Sequence, residues 1–428
     1  MRIPLLLLVL ALAAPTHAAD RPLMRDLMGL NVHTVQFKPD LYKPVCRHLR
    51  DYHPLDWDTG KDTSRPTAFP FAANRVDWSK LYGQWTKAGY EVDACVMFDN
   101  LKPDAWKDPA KDARAYGESF ARYFGPSGKQ PWVTAVEIGN EPANYSVEQY
   151  RTIFENMAKG IRAGDPKMKV VTCAVQTGKP DKWSKPMSAV EGLTDLYDVL
   201  NIHSYAMKEG WPTWRRSHPE DPSIPYLKLI EDLAKWRDEH AKGKEVWLTE
   251  FGYDATTKKP DPKTEFKKWE GVTDEQQAQW IVRSFLLFSA MPIDRAYLYF
   301  FNDKDEAKLH ASSGITRDFK PKPSYYAVAH LYKTLGDYRF TRAVLKEVGG
   351  AHCYEFTNNG GDRIYVAWTA TADGKEKSTE LPIGRRVTSV EVMPLEEGAP
   401  PSMAFATNGE AVEVMLSGTP VYVRVSAK

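Results

Sequence analysis

Short apolar runs rich in β-branched and aromatic residues recur along the chain, and between them apolar residues return every third or fourth position. Eight runs read as strands: MGLNVH (28–33), HLRDY (48–52), YEVDACVMF (90–98), VTAVEI (133–138), MKVVTCAV (168–175), DVLNIHSY (198–205), EVWLTEF (245–251) and AYLYFF (296–301). The intervening stretches, such as DWSKLYGQWTKAG, SVEQYRTIFENMAKGIRAG, IPYLKLIEDLAKWRDEHAKG and TDEQQAQWIVRSFLLFSA, read as helices, several opening on Ser, Thr or Asp. Eightfold alternation of strand and helix predicts a (β/α)8 TIM barrel rather than an open doubly wound sheet, and no Gly-rich phosphate loop follows any strand. After KPSYYAVAHLYKTLG the helical period disappears. HCYEFTNN, RIYVAWTAT, TSVEVMPL, AVEVMLSG and VYVRVSA alternate apolar and polar residues between Gly and Asn turns, which predicts a small antiparallel β-sandwich. Such a domain either packs as a structural appendage or contacts polysaccharide.

The first residues, MRIPLLLLVLALAAPTHAAD, have a lone Arg2, an apolar stretch from Ile3 to Ala14 and small residues before Ala19. This is the pattern of a secretory signal, with cleavage expected near Ala18. The apolar stretch is too short for the roughly 20 residues that span a bilayer. The expected organisation is a signal peptide over 1–18, a barrel over 19–338 and a β-sandwich over 339–428, in a secreted or periplasmic protein that is free of the membrane once the signal is removed. With 43% apolar and 12% aromatic residues the chain can bury one large core and a smaller second one. Its 57 basic and 56 acidic side chains nearly cancel, so no global field recruits nucleic acid or an anionic membrane. Cys46, Cys95, Cys173 and Cys353 show neither CxxC nor Cys/His ligand spacing, which argues against zinc and redox roles. A bridge between Cys46 and Cys95 and four buried free thiols are both compatible with the sequence.

Barrel enzymes place chemistry at the C-terminal ends of their strands. The polar residues there are His33, Arg50 and Asp51, Asp99 and Asn100, Asn140 and Glu141, His203 and Tyr205, Glu250, and Asn302 and Asp303. Glu141 and Glu250 follow apolar runs directly, on the fourth and seventh strands, which face each other across an eight-stranded barrel. Two carboxyl groups converging on one pocket are what glycoside hydrolysis needs: one acid to protonate the departing oxygen, and one carboxylate to attack the anomeric carbon or activate water. Taken singly, Asn140 could cap a helix, Glu250 could be a solvated acid, His203 a core histidine and Tyr205 a packing aromatic.

Gly139-Asn140-Glu141-Pro142, His203-Ser204-Tyr205 and Thr249-Glu250-Phe251-Gly252, in this order, resemble the retaining glycoside hydrolases of clan A, over roughly residues 25–338. Length and the trailing sandwich look most similar to family 39 or family 5 type proteins. The resemblance implies Glu141 as general acid/base, Glu250 as nucleophile, and Asn140 on the sugar 2-hydroxyl. It further implies that Tyr205 or His203 bonds one of the two carboxylates, that Arg50 lies beneath the nucleophile, and that neither cofactor nor metal takes part. Many clan members carry Trp after the eighth strand; AYLYFFND offers Tyr299 and Phe301 there instead.

Sugar rings stack on aromatic side chains. Long loops supply Trp57, Phe69 and Phe71, then Trp211 and Trp214, then Trp269. Trp211, Trp214 and Phe301 join His33 and Asn100 as candidate substrate contacts. Lys208, Arg215, Arg216 and the lysines of TTKKPDPKTEFKKWE make the rim basic, either as a solvated face or for an anionic polysaccharide. Two other function classes remain: a non-catalytic polysaccharide-binding protein on a barrel scaffold, and a metal-dependent barrel hydrolase. The latter would want His-x-His on the first strand, where NVHTV has only His33.

Overall fold

The computed structural model describes residues 21–426 except 35, 349, 409 and 410, so the expected signal peptide lies outside the described residues. Eight parallel strands close into a barrel: β1 (Met28–Val32), β2 (His48–Pro54), β3 (Glu91–Met97), β4 (Ala135–Ile138), β5 (Lys169–Gln176), β6 (Val199–His203), β7 (Glu245–Phe251) and β8 (Arg295–Leu298). Each pairs with its sequence neighbour and β8 returns to β1. All eight coincide with the apolar runs of the sequence. The largest difference is at β8, which ends at Leu298 rather than at residue 301.

The helices follow their sequence signals. Val147–Gly164 starts on a capping box of Ser146 and Gln149, and Asp274–Ala290 on one of Thr273 and Gln276. Their apolar faces pack on the outside of the barrel together with Pro109–Phe124, Tyr226–His240 and Pro323–Leu335. A single helical turn, Pro39–Tyr42, stands where the first helix would be.

Inside the barrel, Ala135, Val171, Val199, Trp247 and Tyr297 form one buried apolar cluster. Alternation along a strand returns the chain to the same face two residues later. Glu137, Asn201, Thr249 and Tyr299 therefore stand one layer nearer the C-terminal ends, in place of further hydrophobics. One local device matters for the site. Ile202 pairs with Leu248 but His203 pairs with Glu250, and on the other side Leu248 pairs with Ala296 but Phe251 with Leu298. This bulge in β7 lets Thr249 and Glu250, adjacent in sequence, both reach inward, as bulges beside active sites do.

The chain continues as a β-sandwich. Its first sheet contains β9 (Tyr338–Val348), β10 (Ala351–Asn358), β11 (Arg363–Thr369), β13 (Val387–Val392) and β16 (Val421–Val425). Its second contains β12 (Lys377–Leu381), β14 (Ala406–Asn408) and β15 (Ala411–Leu416). The sandwich is anchored to the barrel: Glu220, in the loop after β6, forms a buried ion pair with Arg283 and accepts from Trp368 Nε1 at 2.7 Å, while Arg283 donates to the Thr371 carbonyl.

The four cysteines are all buried and free, so the bridge between Cys46 and Cys95 is not formed. Cys95 stands inside the barrel, its thiol 3.6 Å from Glu137 Oε1, whereas Cys46 belongs to the apolar layer outside it.

Candidate active site

A cavity of about 520 Å3 opens at the C-terminal ends of the strands and is lined by His33, Asn100, Asn140, Glu141, Tyr205 and Glu250 from the sequence candidates. Thr34, Tyr52, Pro54, Trp57, Met97, Tyr299 and His310 complete the wall. One oxygen each of Glu141 and Glu250, together with a ring nitrogen of His203, lie within 4.8 Å of one another.

The two carboxyl groups live in different surroundings. Glu250 is 5% exposed and receives hydrogen bonds from Tyr52 Oη at 2.6 Å, Tyr205 Oη at 2.8 Å and Arg50 Nη1 at 3.0 Å. Burial by itself would raise its pKa. The charges of His203 and Arg50 and the two tyrosine hydroxyls outweigh burial and hold it at about 2. Glu141 has no such ring of donors. Burial pushes its pKa up and the Glu250 charge adds to this, against the lowering effect of its 2.8 Å hydrogen bond with His203 Nδ1. One group is thus kept ionised and its neighbour biased towards the protonated form.

Arg50 holds this arrangement together from below. It is fully buried, and its five N–H groups are all used: two on Glu137 at 2.8 and 2.7 Å, one on Asn31 Oδ1 at 2.8 Å, one on Asn140 Oδ1 at 2.8 Å and one on Glu250. Only a guanidinium has the donors and the fork geometry for this. Asn140, its carbonyl end committed to Arg50, lines the cavity beside Glu141.

Arg50 and His203 stand behind the cavity wall, where they hydrogen-bond to Glu250 and Glu141, and three further candidates stay away from the cavity altogether. Trp211 is 73% exposed, because the loop after β6 folds back on itself through a bridge between Met207 and Arg216 and carries Trp211 into solvent. Trp214, in the same loop, packs against Phe266 with ring centroids 5.0 Å apart. Phe301 is fully buried against Tyr42 and Phe319, since the strand alternation that would bring it inward stops with β8; Tyr299 takes the position facing the cavity. Of the loop aromatics, Trp57 lines the wall.

Three of the rim's basic residues are paired with acids, and the five lysines of TTKKPDPKTEFKKWE form no ion pair among the described residues. Lys208 pairs with Asp221, Arg215 with Glu209 and Glu270, and Arg216 with Asp254. No Lys or Arg lines the cavity among the described residues. Its His33 and His310 are pushed towards the neutral form, both chiefly by burial and His310 to about 4, with the Arg216 charge assisting at His310.

Two further residues of the site, Tyr52 and Glu137, carry a signal in the sequence. Tyr52 stands two positions after Arg50 on the same strand face, and Glu137 is a charge in the middle of an apolar run. His310 arrives from a loop after β8 and carries no local signature. Glu141, His203 and Glu250 are also the one group among the described residues with three donor atoms close enough to hold a metal ion, but the atoms that would bind it already hydrogen-bond to each other, to Arg50 or to the two tyrosines.

No protein-family model and no curated relative matches the sequence. Solved structures do. The chain is similar to a family 39 glycoside hydrolase from Bacteroides cellulosilyticus WH2, with a TM-score of 0.70, 18% identity, and 96% of this chain and 82% of that one covered. A glucosidase from Croceicoccus marinus gives 0.64 at 15% identity, covering 95% and 97%. A GH51 arabinofuranosidase from Xanthomonas axonopodis pv. citri gives 0.60 at 15% identity, covering 94% and 96%. Across nearly its whole length, barrel and sandwich together, the chain has the fold of these glycoside hydrolases.

Proposed function

We propose that the protein is a secreted retaining glycoside hydrolase that cleaves an oligo- or polysaccharide by double displacement. The observation that carries this is the pairing of Glu141 and Glu250, with oxygens no more than 4.8 Å apart and opposite electrostatic treatment. Retaining enzymes hold their carboxyl groups about 5–5.5 Å apart, whereas inversion needs room for a water and about 6.5–9.5 Å. Glu250 attacks the anomeric carbon while Glu141 protonates the leaving oxygen; Glu141 then takes a proton from the water that releases the sugar. The NH2 end of Asn140 is the group available to a sugar hydroxyl, and Trp57, Tyr299 and Met97 offer surfaces to its C–H faces.

The direct test is the anomeric configuration of the first product, followed by proton NMR in D2O on a substrate found by screening glycoside and polysaccharide panels. Net retention is expected, and an inverted first product would overturn the mechanism. Glu141→Gln gives a second check. Without its proton donor the enzyme should lose about 10²–10⁴-fold on unactivated glycosides. It should lose far less in the first step on aryl glycosides whose leaving group needs no protonation.

The charge of the cavity favours a neutral sugar. A uronate carboxylate about 6 Å from ionised Glu250 meets a repulsion of about 3 kcal/mol at an effective dielectric near 20, worth ~10²-fold. Matched 4-nitrophenyl glycosides and glycosiduronates should therefore differ by at least that factor in kcat/KM, in favour of the neutral member. A preference for the uronide would point back to an anionic polysaccharide.

A further inference from the structure

His203 has a second hydrogen bond, on the side away from Glu141. Its Nε2 lies 3.0 Å from Thr249 Oγ1, and Thr249 Oγ1 in turn donates to Asn201 Oδ1 at 2.6 Å. Both partners are fully buried. The Thr249 backbone N–H also points at Asn201 Oδ1, at 3.4 Å, which fixes the oxygen end of that amide towards Thr249. A hydroxyl has a single proton, and this one is spent on Asn201. Towards His203 the Thr249 oxygen can only accept. We infer that Thr249 and Asn201 are positioning residues that keep a proton on His203 Nε2 and so present a bare Nδ1 to Glu141, making His203 and Glu141 joint holders of the proton delivered in catalysis.

A neutral imidazole has one N–H. With Nε2 protonated, Nδ1 accepts from the Glu141 carboxylic acid across their 2.8 Å contact. Shifting that proton gives an imidazolium and a carboxylate joined by the same hydrogen bond, so either form keeps the pair connected. Removing the proton altogether leaves a nitrogen lone pair facing a carboxylate. That clash is relieved only if the histidine moves its other proton from Nε2 to Nδ1, and the Thr249 hydroxyl would then have to abandon buried Asn201. The Asn201–Thr249 bond therefore resists proton loss from the pair.

The charges around His203 act alongside. Glu250 Oε2 is 3.6 Å from Nδ1, Arg50 approaches from β2, and His310, which is held neutral, comes from the loop after β8. Burial lowers the His203 pKa but its two glutamates outweigh that and raise it, so both members of the pair are biased towards holding the proton. The bulge in β7 is what makes this possible, since it turns Thr249 and Glu250 inward together.

The inference rests on the reading of Glu141 as acid/base, but its first test does not. In the full-length protein with 15N-labelled histidine, the His203 ring signals, assigned by their loss in His203→Gln, should show the Nε2–H tautomer where the ring is neutral. An Nδ1–H tautomer overturns the inference whatever the activity. The second test is the pH profile of kcat/KM on a responsive aryl glycoside. Thr249→Val keeps the shape and removes the acceptor, so the basic limb should fall by about one pH unit, roughly one buried hydrogen bond. The acid limb should stay in place and Thr249→Ser should restore the parent profile. If Thr249→Val does not fold, Asn201→Leu frees the same hydroxyl and should give the same displacement. A folded variant with an unmoved basic limb, or a Ser variant that fails to restore it, refutes the positioning role. Absence of turnover on every glycoside would count against the proposed function and leave the tautomer measurement to decide this point alone.

Discussion

Glu250→Gln is expected to reduce kcat/KM on the order of 10⁵-fold, the scale seen when a covalent nucleophile is removed from a set of groups that act as a unit. The substitution keeps the volume and an acceptor for Tyr52 and Arg50, and its NH2 can donate to the Tyr205 oxygen instead of accepting from it, so fold and sugar binding should survive. What disappears is the electron pair that forms the glycosyl-enzyme. Glu250→Ala extends the test, because it opens a space beside Arg50 that a small anion such as azide can enter. Azide attacks from the face the carboxylate occupied and gives a glycosyl azide of inverted configuration, with no water step to restore it. Recovery of activity with that stereochemistry identifies Glu250 by its chemistry. A glycosyl azide of retained configuration, or an unchanged rate in Glu250→Gln, would transfer the nucleophile's role elsewhere, and a parent protein without turnover whose polysaccharide binding is the same in Glu250→Gln would end the enzymatic reading. That last outcome is what a protein that only binds polysaccharide would give.

The barrel could be read from the sequence because each strand is a short β-rich run buried on both faces, and parallel strands carry that signature more strongly than any other element. The two glutamates were legible for a related reason: each interrupts the end of such a run, where a barrel puts its chemistry. The polar layer beneath them was harder. Glu137, Asn201 and Thr249 sit within strands, where alternation assigns a face but gives no sign that the face is the barrel's interior rather than solvent. The bulge at Thr249 and Glu250 has no sequence mark at all; it exists only as a slip in register against two neighbouring strands. Trp211 and Trp214 misled for the opposite reason. An aromatic in a long rim loop is drawn to a sugar site only if the loop leans inward, and this one is tied to itself between Met207 and Arg216. His310 enters the cavity from a loop whose path is set by distant contacts.

Arg50→Met should destabilise the protein by about 3–5 kcal/mol, the range for removing one member of a buried ion pair. The side chain that replaces the guanidinium fills the space but donates nothing. Glu137, with which Arg50 shares a two-pronged contact at zero exposure on both sides, and Glu250 are then left with uncompensated charge in the barrel interior. The dependence on pH separates this charge effect from simple loss of packing. In the parent protein Glu250 is held at about 2, below its unfolded value near 4.3, so its contribution is complete above that unfolded value and is lost as pH falls towards 2. In Arg50→Met the stranded charge weighs most at neutral pH and is relieved as acid discharges it. The stability gap between the two proteins, measured by urea unfolding, should therefore be widest near pH 7 and narrow towards pH 4, while the acid limb of kcat/KM moves upward. Adding Glu137→Gln should recover part of the loss, because the second substitution removes a charge that the first one stranded. A gap that stays constant from pH 7 to 4, with purely additive substitutions, would mean that Arg50 serves the fold by its bulk and that the low pKa of Glu250 comes from His203 and the two tyrosines alone.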